Sequence, residues 1–286
     1  VILLLLVTGS FQAQAADCVV LLHGLARSDD SMDEMAESLQ EAGFLVVNHD
    51  YPSTDYSIEE LSGTVIREAI GKCPKASQIH FVGHSLGGIL VRYFLEHHDL
   101  PNLGRVVMLG PPNKGSEVVD AMAEIPGFEL INGPAGLQLG TEKTSIPNSL
   151  GAADFEVGII AGSKSINLIL STMLPNPDDG KVSVESTKLE GMTDHITVPV
   201  SHPFLMKDEE VIRQTIHFLQ YGQFQEAADR RSSQKRGGRR AMLTTGCPAR
   251  LPPPLSPAAD NRLRGTRCCR SLPAAVPGAG EADLFS

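Results

Sequence analysis

Residues 79–97 constrain this chain more than any other stretch. A largely apolar run, Ile79-His80-Phe81-Val82, meets Gly83-His84-Ser85-Leu86-Gly87 without a spacer, and Ile89-Leu90-Val91-Arg92-Tyr93-Phe94 follows with apolar residues at helical spacing. A strand that passes straight into a helix must turn sharply, and only small neighbours let the two backbones cross. Gly83 and Gly87 meet that need, and Gly88 lets the helix start close to the strand. Three fixed positions at roughly 7% usage each recur by chance in about one chain in ten of this length, so the pattern alone decides little. Its setting decides more. The turn holds a serine hydroxyl above a sheet, in a backbone conformation costing about 1–3 kcal/mol, with the positive end of a helix beneath it.

The same alternation extends along the chain. Short apolar runs predict strands over 18–22, 45–48, 79–82, 106–109, 157–161 and 196–200, and helical periodicity predicts helices over 30–42, 58–71, 86–97 and 209–221. Strand and helix in turn imply a mainly parallel sheet with helices on both faces. Two stretches interrupt the rhythm: 111–153, rich in Gly and Pro, and 163–177, which carries Ile166, Leu168, Ile169, Leu170, Met173 and Leu174. Both follow strands whose C-terminal ends face the site in an open α/β sheet. They are expected to form a small cap and an acyl pocket; for the second, the alternative is an ordinary amphipathic helix packed on the core.

Composition divides the chain into three. Residues 1–16 open with an apolar run, Val1 to Val7, followed by Ala13-Gln14-Ala15, the pattern of a signal peptide, and are too short to span a bilayer. The lack of a Met and of a basic segment before that run implies a start further upstream or at an unusual codon. A buried first strand is the alternative. Residues 17–226 read as one globular domain, and residues 227–286, crowded with Arg, Pro and Gly, as a disordered basic tail. The charge divides likewise: residues 1–226 carry 13 Lys and Arg against 30 Asp and Glu, and the tail carries 11 against 4. An acidic body argues against nucleic-acid binding and against adhesion to anionic membranes. A leader of this kind implies a secreted or periplasmic protein, in which Cys18 and Cys73, the two cysteines of the body, can close a disulfide at one edge of the sheet or remain free thiols. Cys247, Cys268 and Cys269 of the tail suggest no framework. The nine histidines are scattered and no Cys-x-x-Cys pair occurs, so no metal site is expected.

A serine at such a turn needs a base, an acid and donors for an oxyanion. The amide of Leu86, next after the serine, is one donor, and His23-Gly24-Leu25, leaving the first strand, supplies the second through Leu25. His23 is expected to orient that loop. The base lies among His195, His202 and His217. His195 precedes the last strand and His202 follows it, roughly 20 Å apart at about 3.3 Å per residue, and only the C-terminal end faces the site. That favours His202 over His195, with His217 as a surface residue of the last helix. For the acid, Asp178-Asp179-Gly180 offers two carboxylates. Asp179 is preferred, because the turn after it leads into Val182-Ser183-Val184 and would hold its carboxylate rigidly. Asp178 is the next candidate, and a plain Asp-Gly turn is the structural alternative.

Together His23-Gly24-Leu25-Ala26-Arg27-Ser28, Gly83-His84-Ser85-Leu86-Gly87-Gly88, Pro111-Pro112-Asn113-Lys114-Gly115-Ser116, Asp179-Gly180-Lys181-Val182 and His202 resemble the bacterial lipase and esterase branch of the α/β-hydrolases. The resemblance covers about residues 18–224. It implies the α/β-hydrolase fold, no cofactor, and hydrolysis of a small-molecule carboxylic ester, lipid or acyl, with Ser85 as nucleophile, His202 as base, Asp179 as its partner, and Leu25 and Leu86 as oxyanion donors. The same residues could serve a thioesterase or acyltransferase, and the fold could also persist as a non-catalytic lipid- or partner-binding module. Proteins of this branch usually stop soon after the last helix, so residues 227–286 are expected to be dispensable.

Overall fold

A computed structural model describes residues 16–75 and 77–226. Most of the leader and the whole of 227–286, with its three cysteines, lie outside the described residues. Six strands, β1 (Cys18–Leu22), β2 (Leu45–His49), β3 (Ile79–His84), β4 (Leu103–Leu109), β5 (Val157–Gly162) and β6 (Asp194–Val198), form one parallel sheet in the order β2-β1-β3-β4-β5-β6. The helices are α1 (Asp33–Glu41), α2 (Ile58–Gly71), α3 (Leu86–His97), α4 (Glu117–Met122), α5 (Phe128–Leu137), α6 (Ile146–Ser149), α7 (Leu168–Ser171), α8 (Val184–Thr187) and α9 (Glu209–Tyr221), with 3₁₀ turns at Asp29–Met32 and His202–Lys207.

The central strands read as unbroken apolar runs because both faces are covered. Along β1, Val20 and Leu22 pack with Phe81 and Met108 against Ile58 and Ile66 of α2 and Leu90 and Phe94 of α3. Val19 and Leu21 point the other way and pack with Val82 and Val107 against Met35 and Leu39 of α1 and Val211 and Phe218 of α9. Each such side chain contributes about 1.5–3 kcal/mol by leaving water. Caps set the helix ends. Ser57 and Glu60 form a reciprocal capping box at the start of α2, and Asp208 accepts from the Glu210 and Val211 amides at the start of α9, which stops at Gly222 in the left-handed region.

Four sequence expectations are corrected. The last strand runs two residues earlier than 196–200: Pro199 has no N–H for the ladder, while Asp194 anchors the other end by accepting the Phe224 amide at 2.8 Å. The first helix opens as a 3₁₀ turn before α1, and β4 begins three residues early. Cys18 and Cys73 are disulfide-bonded, with Cα atoms 5.9 Å apart. The bond lies at the N-terminal end of β1, a strand flanked by β2 and β3, and not at a sheet edge.

One buried cation fastens the long excursion after β4 to the core. Arg92, on α3 and 4% exposed, donates to the carbonyls of Asn113, Pro147, Leu150 and Gly151 at 2.9–3.1 Å. Burial pushes its pKa down to about 10, which still leaves it protonated at neutral pH. Hydrogen bonds to a charged donor are each worth about 1.5–3 kcal/mol, and removing the donor orphans all four acceptors. Arg92→Met is therefore expected to cost about 3 kcal/mol or more in denaturant unfolding and to increase hydrogen exchange across 111–151; an unchanged midpoint would refute the anchoring role.

Candidate active site

Ser85 follows β3 and caps α3 with φ 51° and ψ −116°, in the positive-φ region that a side chain rarely adopts. Its amide donates to the Leu109 carbonyl at 2.9 Å, fixing the turn to the end of β4. Next to it, Gly110 has φ 56°. A Cβ there would lie 3.1 Å from both Asp179 Oδ2 and His202 Nδ1, so the missing side chain makes room for an acid and an imidazole at the end of β4.

Those two groups are paired. His202 Nδ1 donates to Asp179 Oδ2 at 2.7 Å, and both residues are buried. The Asp179 Oδ1 accepts the amides of Lys181 and Val182 at 3.0 and 2.8 Å, and the His202 amide donates to the Asp179 carbonyl at 3.0 Å, so backbone and side chain hold the pair together. Asp178 is committed elsewhere, accepting the Ser171 hydroxyl at 2.5 Å and the Gly180 amide at 2.8 Å. Its role is to tie α7 to the turn. The other candidate bases are also engaged away from the site, His195 with Thr187 Oγ1 at 3.0 Å and His217 with the Gln223 carbonyl at 2.8 Å. No hydrogen bond joins Ser85 Oγ to His202 among the described residues. Catalytic hydrogen bonds are commonly long before substrate binds.

The loop after β1 closes the other side. A Cβ on Gly24 would sit 3.4 Å from Ser85 Cβ, which places the loop against the serine. Tyr51 clamps it: the phenol donates to the His23 carbonyl at 2.6 Å, the Tyr51 amide donates to His23 Nε2 at 3.3 Å, and the two rings stack with centroids 4.0 Å apart. Burial raises the Tyr51 pKa, keeping it a donor, and lowers that of His23, keeping the imidazole neutral. His23 thus orients the loop. The Ala26 amide is taken by Ser53 Oγ at 3.0 Å, whereas the amides of Leu25 and Leu86 have no acceptor among the described residues.

Sequence reasoning passed over His84, the variable position of the Gly-x-Ser motif. His84 is buried, and its Nε2 donates to the His202 carbonyl at 3.1 Å with the two rings 4.8 Å apart. Among the described residues its Nδ1 has no partner, and it faces Gly24, where a Cβ would come within 2.7 Å. Burial, reinforced by the neighbouring His202, holds its pKa well below the ordinary value, so it stays neutral with the proton on Nε2. One ring thus touches the serine turn, the base loop and the loop after β1. A histidine in that position has no periodicity or spacing that could have revealed the contact.

Sheet order and site geometry together define the class. A family described as the α/β hydrolase fold matches residues 17–128. Among solved structures, a mature lipase from Bacillus licheniformis is 20% identical with a TM-score of 0.56, over 72% of this chain and 92% of its own. A phospholipase from Legionella pneumophila is 15% identical with a TM-score of 0.59, over 73% of this chain and 60% of its own. No curated protein matches at the sequence level. The chain has the α/β-hydrolase fold.

Proposed function

We propose that this protein is a serine hydrolase cleaving carboxylic esters. The observation that carries this reading is the buried His202–Asp179 pair beside the strained Ser85 turn, at the C-terminal ends of β3, β4 and β5. His202 Nε2 takes the Ser85 proton as Oγ attacks the ester carbonyl; the oxyanion is held by the Leu25 and Leu86 amides. The imidazolium, stabilised by Asp179, returns the proton to the departing alcohol. Water then repeats the sequence on the acyl-enzyme and releases the acid.

The acyl group is apolar in this reading. Leu130 of α5 is 89% exposed, and Leu168 and Ile169 of α7 are 76% and 72% exposed, on segments that follow β4 and β5. α7 buries none of its side chains, so it is not a helix packed on the core. Apolar surface left open on these segments suits a lipid-like substrate. The structural relatives with a lipase or phospholipase name are in keeping with that choice. Export to an oxidising compartment is supported by the apolar leader and by the Cys18–Cys73 bond. No helix among the described residues is long and apolar enough to cross a membrane.

A fluorophosphonate probe tests the chemistry without knowledge of the substrate. Wild type is expected to label stoichiometrically and Ser85→Ala not at all. Equal labelling of both proteins, or none of wild type, would sink the proposal.

A further inference from the structure

The acid and the base are built as one unit and the nucleophile as another. His202 is tied to Asp179 twice, by its amide to the Asp179 carbonyl at 3.0 Å and by Nδ1 to Oδ2 at 2.7 Å. Both bonds stay within the segments that follow β5 and β6, so they fix His202 against its acid and leave its distance from Ser85 open. Ser85 follows β3, and its amide is tied to Leu109 at the end of β4. Proton transfer needs the two units in register, with Oγ and Nε2 brought within hydrogen-bond reach. Among the described residues a single hydrogen bond crosses between the Ser85 turn (83–88) and the His202 loop (199–207): His84 Nε2 donates to the His202 carbonyl at 3.1 Å.

The pleat of β3 aims that ring. Side chains alternate along a strand, so His84 shares a face with Val82, which belongs to the same core as Leu205 and Met206 of the His202 turn, while Phe81 packs on the other face. A nitrogen that donates to a carbonyl carries the ring's one proton, which leaves Nδ1 an acceptor, and among the described residues nothing donates to it. It faces Gly24, where a Cβ would come within 2.7 Å, so the loop that carries Leu25 backs the ring on that side. With His202 at one nitrogen and this loop at the other, the ring has little room to turn. A buried acceptor without a partner is costly, and a leucine would fill similar space without that cost. What the imidazole adds is the Nε2 donor. Among the described residues His84 forms no hydrogen bond with Ser85 or Asp179, so it acts through His202 and not on the reacting atoms.

We propose that His84 is a positioning residue: its Nε2–H holds the His202 carbonyl and so sets the base at its working distance from Ser85. This role rests on the serine-hydrolase reading, and one of its two readouts is independent of turnover. Three substitutions separate reach from bulk and polarity. Glutamine carries its amide nitrogen the same number of bonds from Cα as His84 Nε2, asparagine is one bond shorter and falls short of the His202 carbonyl, and leucine fills space without a donor. A misplacement of about 1 Å costs about 10²-fold in rate, so kcat for 4-nitrophenyl butyrate is expected to fall about that much in His84→Leu and His84→Asn, with KM within about threefold of wild type. In His84→Gln it is expected to return to within about tenfold of wild type, about a tenth of the full loss. The second readout is proton NMR. The His202 Nδ1 proton, in a short charge-assisted bond to Asp179, resonates far downfield of backbone amides. Its signal is expected to stay in place in His84→Gln and to shift or exchange away in the other two variants. Wild-type kcat in the leucine and asparagine variants, a glutamine variant no better than leucine, or an unmoved proton signal in all three would each overturn the proposal. Asparagine carries the comparison with glutamine if the leucine variant does not fold. If wild type neither turns over the ester nor labels with the fluorophosphonate, the hydrolase reading fails, and the proton signal alone decides whether His84 holds His202.

Discussion

Asp179→Asn is expected to lower kcat for ester hydrolysis about 10⁴-fold, the scale set by loss of the correct imidazole tautomer in Ser-His-Asp enzymes. The reason lies in what each carboxylate oxygen accepts. Oδ1 receives two backbone amides, and Oδ2 receives the His202 Nδ1 proton. An asparagine has one acceptor oxygen and one donor nitrogen. With its oxygen toward the amides, the nitrogen donates to His202 Nδ1, which moves the ring proton to Nε2 and leaves the imidazole unable to take a proton from Ser85. Turned the other way, it sets an NH₂ group against two N–H donors and strains the turn. Asp178→Asn makes the control. It can still accept the Gly180 amide and can donate to the Ser171 hydroxyl, so its kcat should change less than about tenfold. Equal losses in the two variants would remove Asp179 from its assigned role.

The contrast between those neighbours also shows what was legible in the sequence. Pro-Asp-Asp-Gly announced a turn with a carboxylate held rigidly, and the preference for Asp179 followed from the alternation after it. The competing use of Asp178 depends on Ser171, seven residues away on a helix too short to have a recognisable period. The strand and helix order was readable because each element is covered by a core that demands continuous or periodic apolar residues. Boundaries failed where a hydrogen-bonding detail outranked hydrophobicity: Pro199 ended β6, and Asp194, a polar residue outside any apolar run, began it. His84 fills a position that the Gly-x-Ser motif leaves free. Its meaning comes from contacts with the loops after β1 and β6, which no local pattern encodes.

The disulfide carries the second large effect. Cys18 opens the strand whose other end delivers the His23–Leu25 loop, and Cys73 follows α2, so the bond closes a loop spanning 55 residues of sequence separation. In the chain-entropy account, cross-linking a loop of that size removes enough freedom from the unfolded chain to stabilise the fold by about 4 kcal/mol. For a domain of this size that corresponds to a melting temperature about 8–16 °C higher. Cys18→Ala/Cys73→Ser is expected to melt that much lower than oxidised wild type, and a reducing agent should lower wild type without moving the double variant. Both sulfurs are buried at the end of the sheet opposite Ser85, so the variant is expected to keep its fluorophosphonate labelling at temperatures where it remains folded. Coincident melts for oxidised wild type and the double variant would show that the bond does not stabilise the native state. They would also remove the main structural support for export, since a bond that contributes nothing to stability gives no reason for the protein to fold in an oxidising compartment.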